Sequence, residues 1–492
     1  MTTTRHTSEP QNLPAGAASP QLCVVTFGCQ MNKYDSSLVE GRFRKSGYGT
    51  TSSVEDADVV IFNTCSVRDH AEERTWSWVG ELKQLKKRRP DMVIGLMGCM
   101  AQRVEEEAFK RAAHIDLVAG TRQFQHLPQM VEEVRARRAD SSLSRSDERV
   151  AFTDMAAEVP VDRTGEIWTG GRHAFLAVMR GCALSCTYCV VPMTRGGVQS
   201  RSIPQLVEEA RWHADQGVKV LTLLGQTVNS YGEDFSVPLE GEPRGTGRQG
   251  REGLGDLLRA LQEVPGLERI RMITLHPSYA TRALAEAMRD CDKVDRFLPL
   301  PAQAGSDPVL KRMKRAYNLD LYRKRADTLR SVLPDLELGS DWIVGFSGET
   351  EEDFVGSQRF LEEQQFIVNY IFKYDERPLT KAAGFPDDVP EAIKKERHQR
   401  LMETSERVQR ARFEQWCGRT EQVFLEAVSP RDANILQGRS VHGLSVSVAG
   451  SEELLGTKVP VILDECTAYG FSGRMAEGTA SEDLACKDTI GK

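Results

Sequence analysis

The chain has 492 residues, a formal net charge of −7 and eleven cysteines. That length allows two or three domains, each with its own core, and the acidic balance excludes a generally basic nucleic-acid binder, so any RNA contact has to use a local patch. Eleven scattered cysteines are too few for a disulfide scaffold and fit a reducing compartment. No apolar run approaches the roughly 20 residues of a membrane helix, so a cytoplasmic protein with no membrane contact is expected.

Residues 1–21 are rich in Thr, Ser, Pro and Ala and lack the apolar segment of a signal peptide, which predicts a disordered leader. Residues 22–137 alternate strand and helix. Strands are expected at Leu22–Phe27, Ala57–Phe62, Met92–Met97 and Ile115–Val118, and helices at Ser36–Ser46 and Glu72–Arg89. Continuous apolar strands alternating with helices argue for a parallel sheet covered on both faces. Cys29, Cys65 and Cys99 each follow the carboxyl end of one of the first three strands, about one βα unit apart. Parallel strands bring such loops to one rim. The three thiols are therefore read as a cluster site with one iron left open; the other reading is packing cysteines beside Gly turns. Lys83, Lys86, Lys87, Arg88 and Arg89 form a basic run that serves either phosphates or solvent.

Residues 138–171 are polar, with one strand-like piece at Val150–Thr153, and read as a linker. From 172 to 412 the βα rhythm resumes for six units. Strands are expected at Ala174–Met179, Val218–Leu224, Ile270–Thr274, Phe297–Leu300, Leu336–Phe346 and Phe366–Phe372. Helices are expected at Pro204–Gln216, Leu254–Val264, Ala280–Cys291, Leu319–Leu333 and Thr350–Gln364. The segment from Pro238 to Gly253 interrupts this rhythm and reads as a mobile surface insertion. The first of these strands runs into Met179-Arg-Gly-Cys-Ala-Leu-Ser-Cys-Thr-Tyr-Cys189, which places Cys182, Cys186 and Cys189 in the pattern C-x3-C-x2-C. A loop this short can wrap one compact metal centre, and thiolates suit zinc or an iron–sulfur cluster. Zinc would need a fourth protein ligand, and no Cys or His follows before His213. A cubane held by three cysteines instead leaves one iron open.

Residues 413–480 change to short alternating strands between Gly and Ser turns, at Glu421–Glu426, Leu444–Val448 and Val459–Leu463, which indicates a small β-barrel. Acidic side chains outnumber basic ones in it. Residues 481–492 read as a disordered tail. Cys23, Cys291, Cys417, Cys466 and Cys486 have no partners at ligand spacing and read as ordinary small residues.

The loop Cys182–Cys189, with Tyr188 before its last cysteine, resembles the signature of the radical S-adenosylmethionine (SAM) enzymes. TFGCQMNKYDS (26–36), NTCSVRDHAEER (63–74), GCMAQR (98–103) and RGCALSCTYCVVPMTRG (180–196) together resemble the MiaB-type tRNA methylthiotransferases. So do LLGQTVNSY (223–231), GSDPVLKRMKRAY (305–317) and IVGFSGETEEDF (343–354), and the resemblance runs from about residue 22 to 480. It implies an α/β fold: an N-terminal parallel sheet domain, a central partial (βα)6 radical SAM barrel and a C-terminal TRAM-like β-barrel that holds tRNA.

It also implies two 4Fe-4S clusters, one on Cys182, Cys186 and Cys189 for the radical step and one on Cys29, Cys65 and Cys99 carrying sulfur, both serving one substrate. SAM acts as radical source and methyl donor, with Gln226 and Gln303 candidates for SAM or substrate contacts and Tyr188 for packing near the adenine. The alternative is that these residues satisfy local turns. The implied reaction is methylthiolation at C2 of N6-isopentenyladenosine beside the anticodon, at tRNA position 37. The implied partners are a tRNA anticodon stem-loop and a reducing electron donor, the protein acting as a monomer. Lys311, Arg312, Lys314 and Arg315 are a candidate phosphate patch. Pro299, Ala304 and Ser347 depart from the family's usual residues. The rival readings are the same chemistry on threonylcarbamoyl-adenosine or a ribosomal protein, and a non-catalytic iron–sulfur RNA-binding or sensor protein.

Overall fold

A computed structural model describes residues 19–66, 69–155 and 171–476. The expected leader up to residue 18, the linker residues 156–170 and the tail lie outside the described residues. The chain divides into two compact units, Met1–Thr169 with Val190–Gly196, and Gly170–Cys189 with Gly197–Lys492.

In the first unit the elements run β1 (Gln21–Thr26), α1 (Gln30–Lys45), β2 (Gly49–Thr50), β3 (Val59–Thr64), α2 (Asp69–Arg88), β4 (Val93–Gly98), α3 (Cys99–Val104), α4 (Glu107–Arg111), β5 (Leu117–Ala119), α5 (Leu127–Ala139) and β6 (Val150–Phe152). A further short helix, α6 (Val191–Arg195), belongs to this unit although it follows the third thiol of the C-x3-C-x2-C loop. The six strands form one parallel sheet in the order β2-β1-β3-β4-β5-β6. Every residue of β3 and β4 is buried, as strands covered on both faces must be. The piece Val150–Phe152, read from sequence as part of a linker, is the sixth strand: it pairs with β5 from Leu117↔Val150 to Ala119↔Phe152. The polar sequence before it disguised a strand whose backbone completes the sheet edge.

The second unit begins with β7 (His173–Ala177) and β8 (Met179–Arg180), then β9 (Gln199–Ser200), α7 (Ile203–Asp215), β10 (Val220–Leu224), α8 (Leu254–Gln262), β11 (Arg269–Met272), α9 (Arg282–Asp290), β12 (Phe297–Pro299), α10 (Asp307–Arg312), α11 (Leu319–Val332), β13 (Glu337–Val344), α12 (Glu351–Gln364) and β14 (Val368–Lys373). Two parallel three-stranded sheets, β7-β10-β11 and β12-β13-β14, meet at the parallel bridge Ile270↔Val294 just before β12. The result is the expected six-stranded open barrel. Its interior and helix faces share one core that includes Leu176, Leu223, Leu298, Trp342 and Phe346.

The segment read as a mobile insertion folds back on α8. Asp256 Oδ2 accepts from Thr246 N, Thr246 Oγ1 and Gly253 N, each at 2.8 Å, so one carboxylate caps the helix and pins the loop. A helix the sequence did not signal, α13 (Glu391–Glu414), follows β14. It is polar along most of its length and is held by ion pairs such as Arg397–Glu349 at 2.9 Å and Arg412–Glu337 at 2.9 Å.

The chain then forms β15 (Thr420–Ser429), β16 (Asp432–Ser440), β17 (Ser445–Ala449), β18 (Lys458–Thr467) and β19 (Gly470–Met475), closed into a barrel in the order β15-β16-β17-β19-β18. It is joined to the rest of the second unit by polar contacts. Arg269 pairs with Asp295 at 2.7 Å and its Nη2 donates to Ser440 O at 2.6 Å. His442 meets Glu421 at 2.9 Å and Asp335 at 3.2 Å while its ring packs 4.6 Å from that of Trp416.

Burial pushes the His442 imidazole down, but the two carboxylates outweigh it and raise its pKa above the ordinary value. A folded-state pKa raised above the unfolded value, ~6.5, contributes stability that is fully present below the unfolded value and is lost as pH rises through the folded one. The Tm of the wild type is therefore expected to fall across that window, while H442Q lacks this component. Thermal melts from pH 5.5 to 9 check it; parallel Tm profiles for the two proteins would contradict the ion-pair account.

Candidate functional site

β1, β3 and β4 are adjacent in the first sheet, paired through Thr26↔Asn63 and Thr64↔Gly98. Cys29, Cys65 and Cys99 follow these paired ends, so neighbouring strands set them along one rim at the spacing of the sheet, ~4.8 Å per strand. The strand order reverses between β1 and β3, and open α/β sheets offer a crevice at such a point. Cys29 caps α1 and Cys99 opens α3. This early start, six residues before the expected one at Ser36, puts the positive end of α1 at the Cys29 thiol.

Two glycines make the rim tight. Gly28 has φ +149°, and a Cβ there would lie 2.8 Å from Cys65 Cβ. Gly98 has φ +94°, and a Cβ there would lie 2.6 Å from both Asn63 Oδ1 and Thr64 O. Behind the thiols, Asn32 and Asn63 are fully buried and exchange hydrogen bonds: Asn32 Nδ2 donates to Asn63 Oδ1 at 2.7 Å, and Asn63 Nδ2 to Asn32 O at 2.7 Å. Asn32 Oδ1 lies 3.1 Å from Cys29 Sγ. A hydrogen bond from Cys65 lowers the Cys29 pKa to about 5; burial opposes it, while Arg195 and the backbone amides of Asn32 and Met31 assist. These contacts favour the thiolate of Cys29, the form that ligates metal.

Arg195, on α6, is 4% exposed. Its Nε donates to Cys99 Sγ at 3.2 Å and both Nη atoms lie 3.2 Å from Asp35 Oδ2. Burial alone would push the guanidinium down, but Cys99, Asp35 and Cys29 raise it, so it stays a cation. Breaking such a buried pair by removing one partner costs about 3–5 kcal/mol.

The second trio lies on the loop that leaves β8, and the antiparallel pairs Met179↔Ser200 and Arg180↔Gln199 clamp the chain on either side. Thr187 anchors the loop, donating through N to Met313 O at 3.0 Å and through Oγ1 to Arg312 O at 2.9 Å, while its carbonyl accepts from Ala382 N at 2.8 Å. Gln226 Oε1 accepts from Gly181 N at 2.6 Å, and Thr227 Oγ1 lies 3.3 Å from Cys182 Sγ. Arg315 Nη1 donates to Cys186 Sγ and to Tyr188 OH, both at 3.3 Å. Burial would lower the Arg315 guanidinium, but Tyr188, Tyr317 and Cys186 hold it well above its ordinary value. Tyr188 sits edge-on to Phe346 at 6.4 Å. Nearby, burial and then Arg315 push His276 down to about 2, so it is neutral at pH 7.

The expected cofactor contacts separate on this geometry. The side chain of Gln226 is spent on the loop backbone. Gln303 pairs its backbone with β13, N to Asp341 O and O to Ile343 N, both at 2.9 Å, and holds φ +67°. Thr274, just past β11, also has positive φ, so two non-glycine residues beyond strand carboxyl ends occupy the region where functional sites store strain, whereas the positive φ of Lys314 ends helix α10.

The expected phosphate patch divides: Arg315 turns to the thiols and Arg312 to Gly348 O at 2.5 Å, leaving Lys311 and Lys314 exposed. Lys86, from the other basic run, pairs with buried Asp116 at 2.8 Å, near the amino ends of the strands rather than the thiol rim. Arg195, Asp35, Thr187 and His276 were missed from sequence, and Arg315 was read as a phosphate contact rather than a partner of Cys186. The sequence signals for Arg195 are its place directly after the mostly apolar Val190-Val-Pro-Met-Thr194 and inside the string RGCALSCTYCVVPMTRG. Cys417 and Cys466, read as unrelated, meet through a hydrogen bond in the C-terminal barrel.

The residues fit iron–sulfur clusters. Each trio is thiol-only, one thiol is shifted toward its thiolate, and each has a guanidinium on a sulfur. Among the described residues no three His, Cys, Asp or Glu close on one point as ligands of a single ion do; the thiolates of a cubane sit at separate corners.

Residues 21–120 match the uncharacterized protein family UPF0004, and residues 176–361 the Radical SAM superfamily. A protein of Acetivibrio thermocellus called tRNA-2-methylthio-N(6)-dimethylallyladenosine synthase is 38% identical over 453 residues, 92% of this chain and 90% of that one. Proteins of the same description from Rhodopirellula baltica and Symbiobacterium thermophilum are 38% and 37% identical, covering 92% and 94% of this chain and 95% and 96% of theirs. The chain belongs to the MiaB-type methylthiotransferases. The cobalamin-dependent SAM radical enzyme OxsB shares the fold, with a TM-score of 0.50, 13% identity, and coverage of 79% of this chain and 56% of OxsB. Membership makes this chain a radical SAM enzyme, with SAM and 4Fe-4S cofactors. No helix among the described residues is long and apolar enough to cross a membrane.

Two measurements test the site assignment in this methylthiotransferase. C29A/C65A/C99A and C182A/C186A/C189A are each expected to retain about half of the wild-type iron and sulfide after anaerobic reconstitution; full retention by either would remove its trio from the ligand set. G98A is expected to lose roughly 1–3 kcal/mol of stability through backbone strain and to bind less iron at the first trio, read by denaturant unfolding and iron assay.

Proposed function

We propose that this methylthiotransferase acts on tRNA and places a methylthio group at C2 of N6-isopentenyladenosine at position 37. The observation that carries the reading is the pair of thiol-only trios in one chain, each at strand carboxyl ends and each with a cation on one of its sulfurs. Cys182, Cys186 and Cys189 are the proposed ligands of the SAM-cleaving cluster, and Cys29, Cys65 and Cys99 of the sulfur-carrying one. When bound, the first supplies the electron that splits the sulfonium of SAM into a carbon radical, and the second holds the sulfur to be delivered. An aromatic C–H has neither an acidic proton nor a leaving group, so acid–base catalysis alone is a poor route to it.

The chain's own residues hold this chemistry in place. Thr187 and Gln226 fix the backbone of the loop that carries the three thiols. Arg315 offsets thiolate charge and orients the Tyr188 ring. Neutral His276, edge-on to Tyr317 at 5.3 Å, adds no charge beside it. Gln303 and Tyr188 remain the proposed contacts to SAM, and the C-terminal barrel with Lys311 and Lys314 the proposed contacts to the RNA backbone. A cytoplasmic monomer served by a reducing electron donor completes the reading.

Purified, anaerobically reconstituted protein with dithionite, SAM and tRNA bearing isopentenyladenosine is expected to yield 5′-deoxyadenosine and the 2-methylthio nucleoside by mass spectrometry. C182A/C186A/C189A yields neither. 5′-Deoxyadenosine formed only with threonylcarbamoyl-adenosine tRNA or ribosomal protein would reassign the substrate, and none under any condition would leave a sensor.

A further inference from the structure

Arg195 and Asp35 form a buried ion pair, 3% and 2% exposed at their side chains, that thiol ligation does not by itself require. The pair is poorly suited to be a mere brace. Both Nη atoms converge on the single oxygen Oδ2 rather than forking across the carboxylate, so the Coulombic return on desolvating two charges is reduced. The third contact of the guanidinium, Nε to Cys99 Sγ at 3.2 Å, is the one that reaches the thiol site. Its carbonyl oxygen takes a hydrogen bond from Arg122 Nη2 at 3.4 Å, and the neighbouring Thr194 O accepts from Thr121 Oγ1, so α6 is fixed to the first unit on both sides of the side chain's root.

A fixed cation that hydrogen-bonds a ligating sulfur stabilises the more negative, reduced state of an iron–sulfur cluster and so raises its potential. A carboxylate behind that cation offsets part of the effect. We propose that Arg195, locked by Asp35, is a positioning residue of the first thiol site, holding the Cys99 sulfur and setting the reduction potential of the cluster bound there. The inference rests on reading Cys29, Cys65 and Cys99 as cluster ligands.

The test uses the full chain with C182A/C186A/C189A as parent, so that only the first site can load, and reads iron content and the midpoint potential by EPR-monitored titration. A parent that binds no iron would refute the cluster reading, and with it the premise; a loaded parent leaves the role of Arg195 to be decided by the variants. R195M is expected to shift the oxidised-to-reduced ratio at fixed potential at least tenfold toward oxidised, a fall of about 59 mV for one electron. D35N, which strips the counter-charge and keeps the cation, is expected to move it the opposite way. R195K, which keeps the charge and loses the fork, falls between parent and R195M. Where R195M fails to load, R195M/D35N removes both charges, and its potential is still expected below that of the parent because the donor to Cys99 is gone. Loaded variants that share the potential of the parent, or shifts of the reverse sign, would overturn the proposal.

Discussion

Parallel pairing of β1, β3 and β4 is the constraint on which the first site depends. Because the three strands run in the same direction and lie side by side, the residues just past their carboxyl ends fall on one rim, whatever their distance in sequence. Gly28 and Gly98 then let the chain turn hard at that rim, where a side chain would strike Cys65 or Asn63. The asparagine pair Asn32 and Asn63 ties the loop after β1 to the end of β3, so the thiols sit on rigid backbone rather than on free loops. Such stiffness suits the cluster site proposed for these thiols, since loosely placed ligands would each lose conformational entropy on binding.

The second unit reaches a similar end by a different route. Its three thiols are close in sequence, so connectivity alone brings them together, and the fold's task is to keep the loop open and oriented. It does so with polar contacts from the end of β10 and the turn after α10: Thr227 on Cys182, Gln226 on the backbone of Gly181 and Arg315 on Cys186. Both sites place one guanidinium on one sulfur. In each, neighbouring anionic or phenolic groups hold the arginine charged against the burial that would lower it.

The C-terminal barrel is joined to the rest of its unit by apolar packing, with Ile367, Phe297 and Val368 against its core, and by charge. Arg269, Asp295, His442, Glu421 and Glu337 lie at or near the seam, and Trp416 Nε1 donates to Glu337 Oε1 at 2.9 Å. Of the barrel's own acidic side chains, Glu421 and Glu426 are engaged at this seam, with His442 and Arg271.

The sequence by itself determined the βα rhythm, the closed barrel and the family, because these depend on local apolar period, turn residues and short strings that survive without knowledge of neighbours. Tertiary structure alone decided that Val150–Phe152 completes the first sheet and that Pro238–Gly253 folds onto α8. It alone put Gln226 on a backbone amide and Arg195 beside Cys99. A three-residue strand set in a polar stretch, a loop pinned by a carboxylate and a cation buried against a thiol leave little periodic trace. Each is defined by a partner from 10 to 160 residues away that only the folded chain brings within hydrogen-bonding distance.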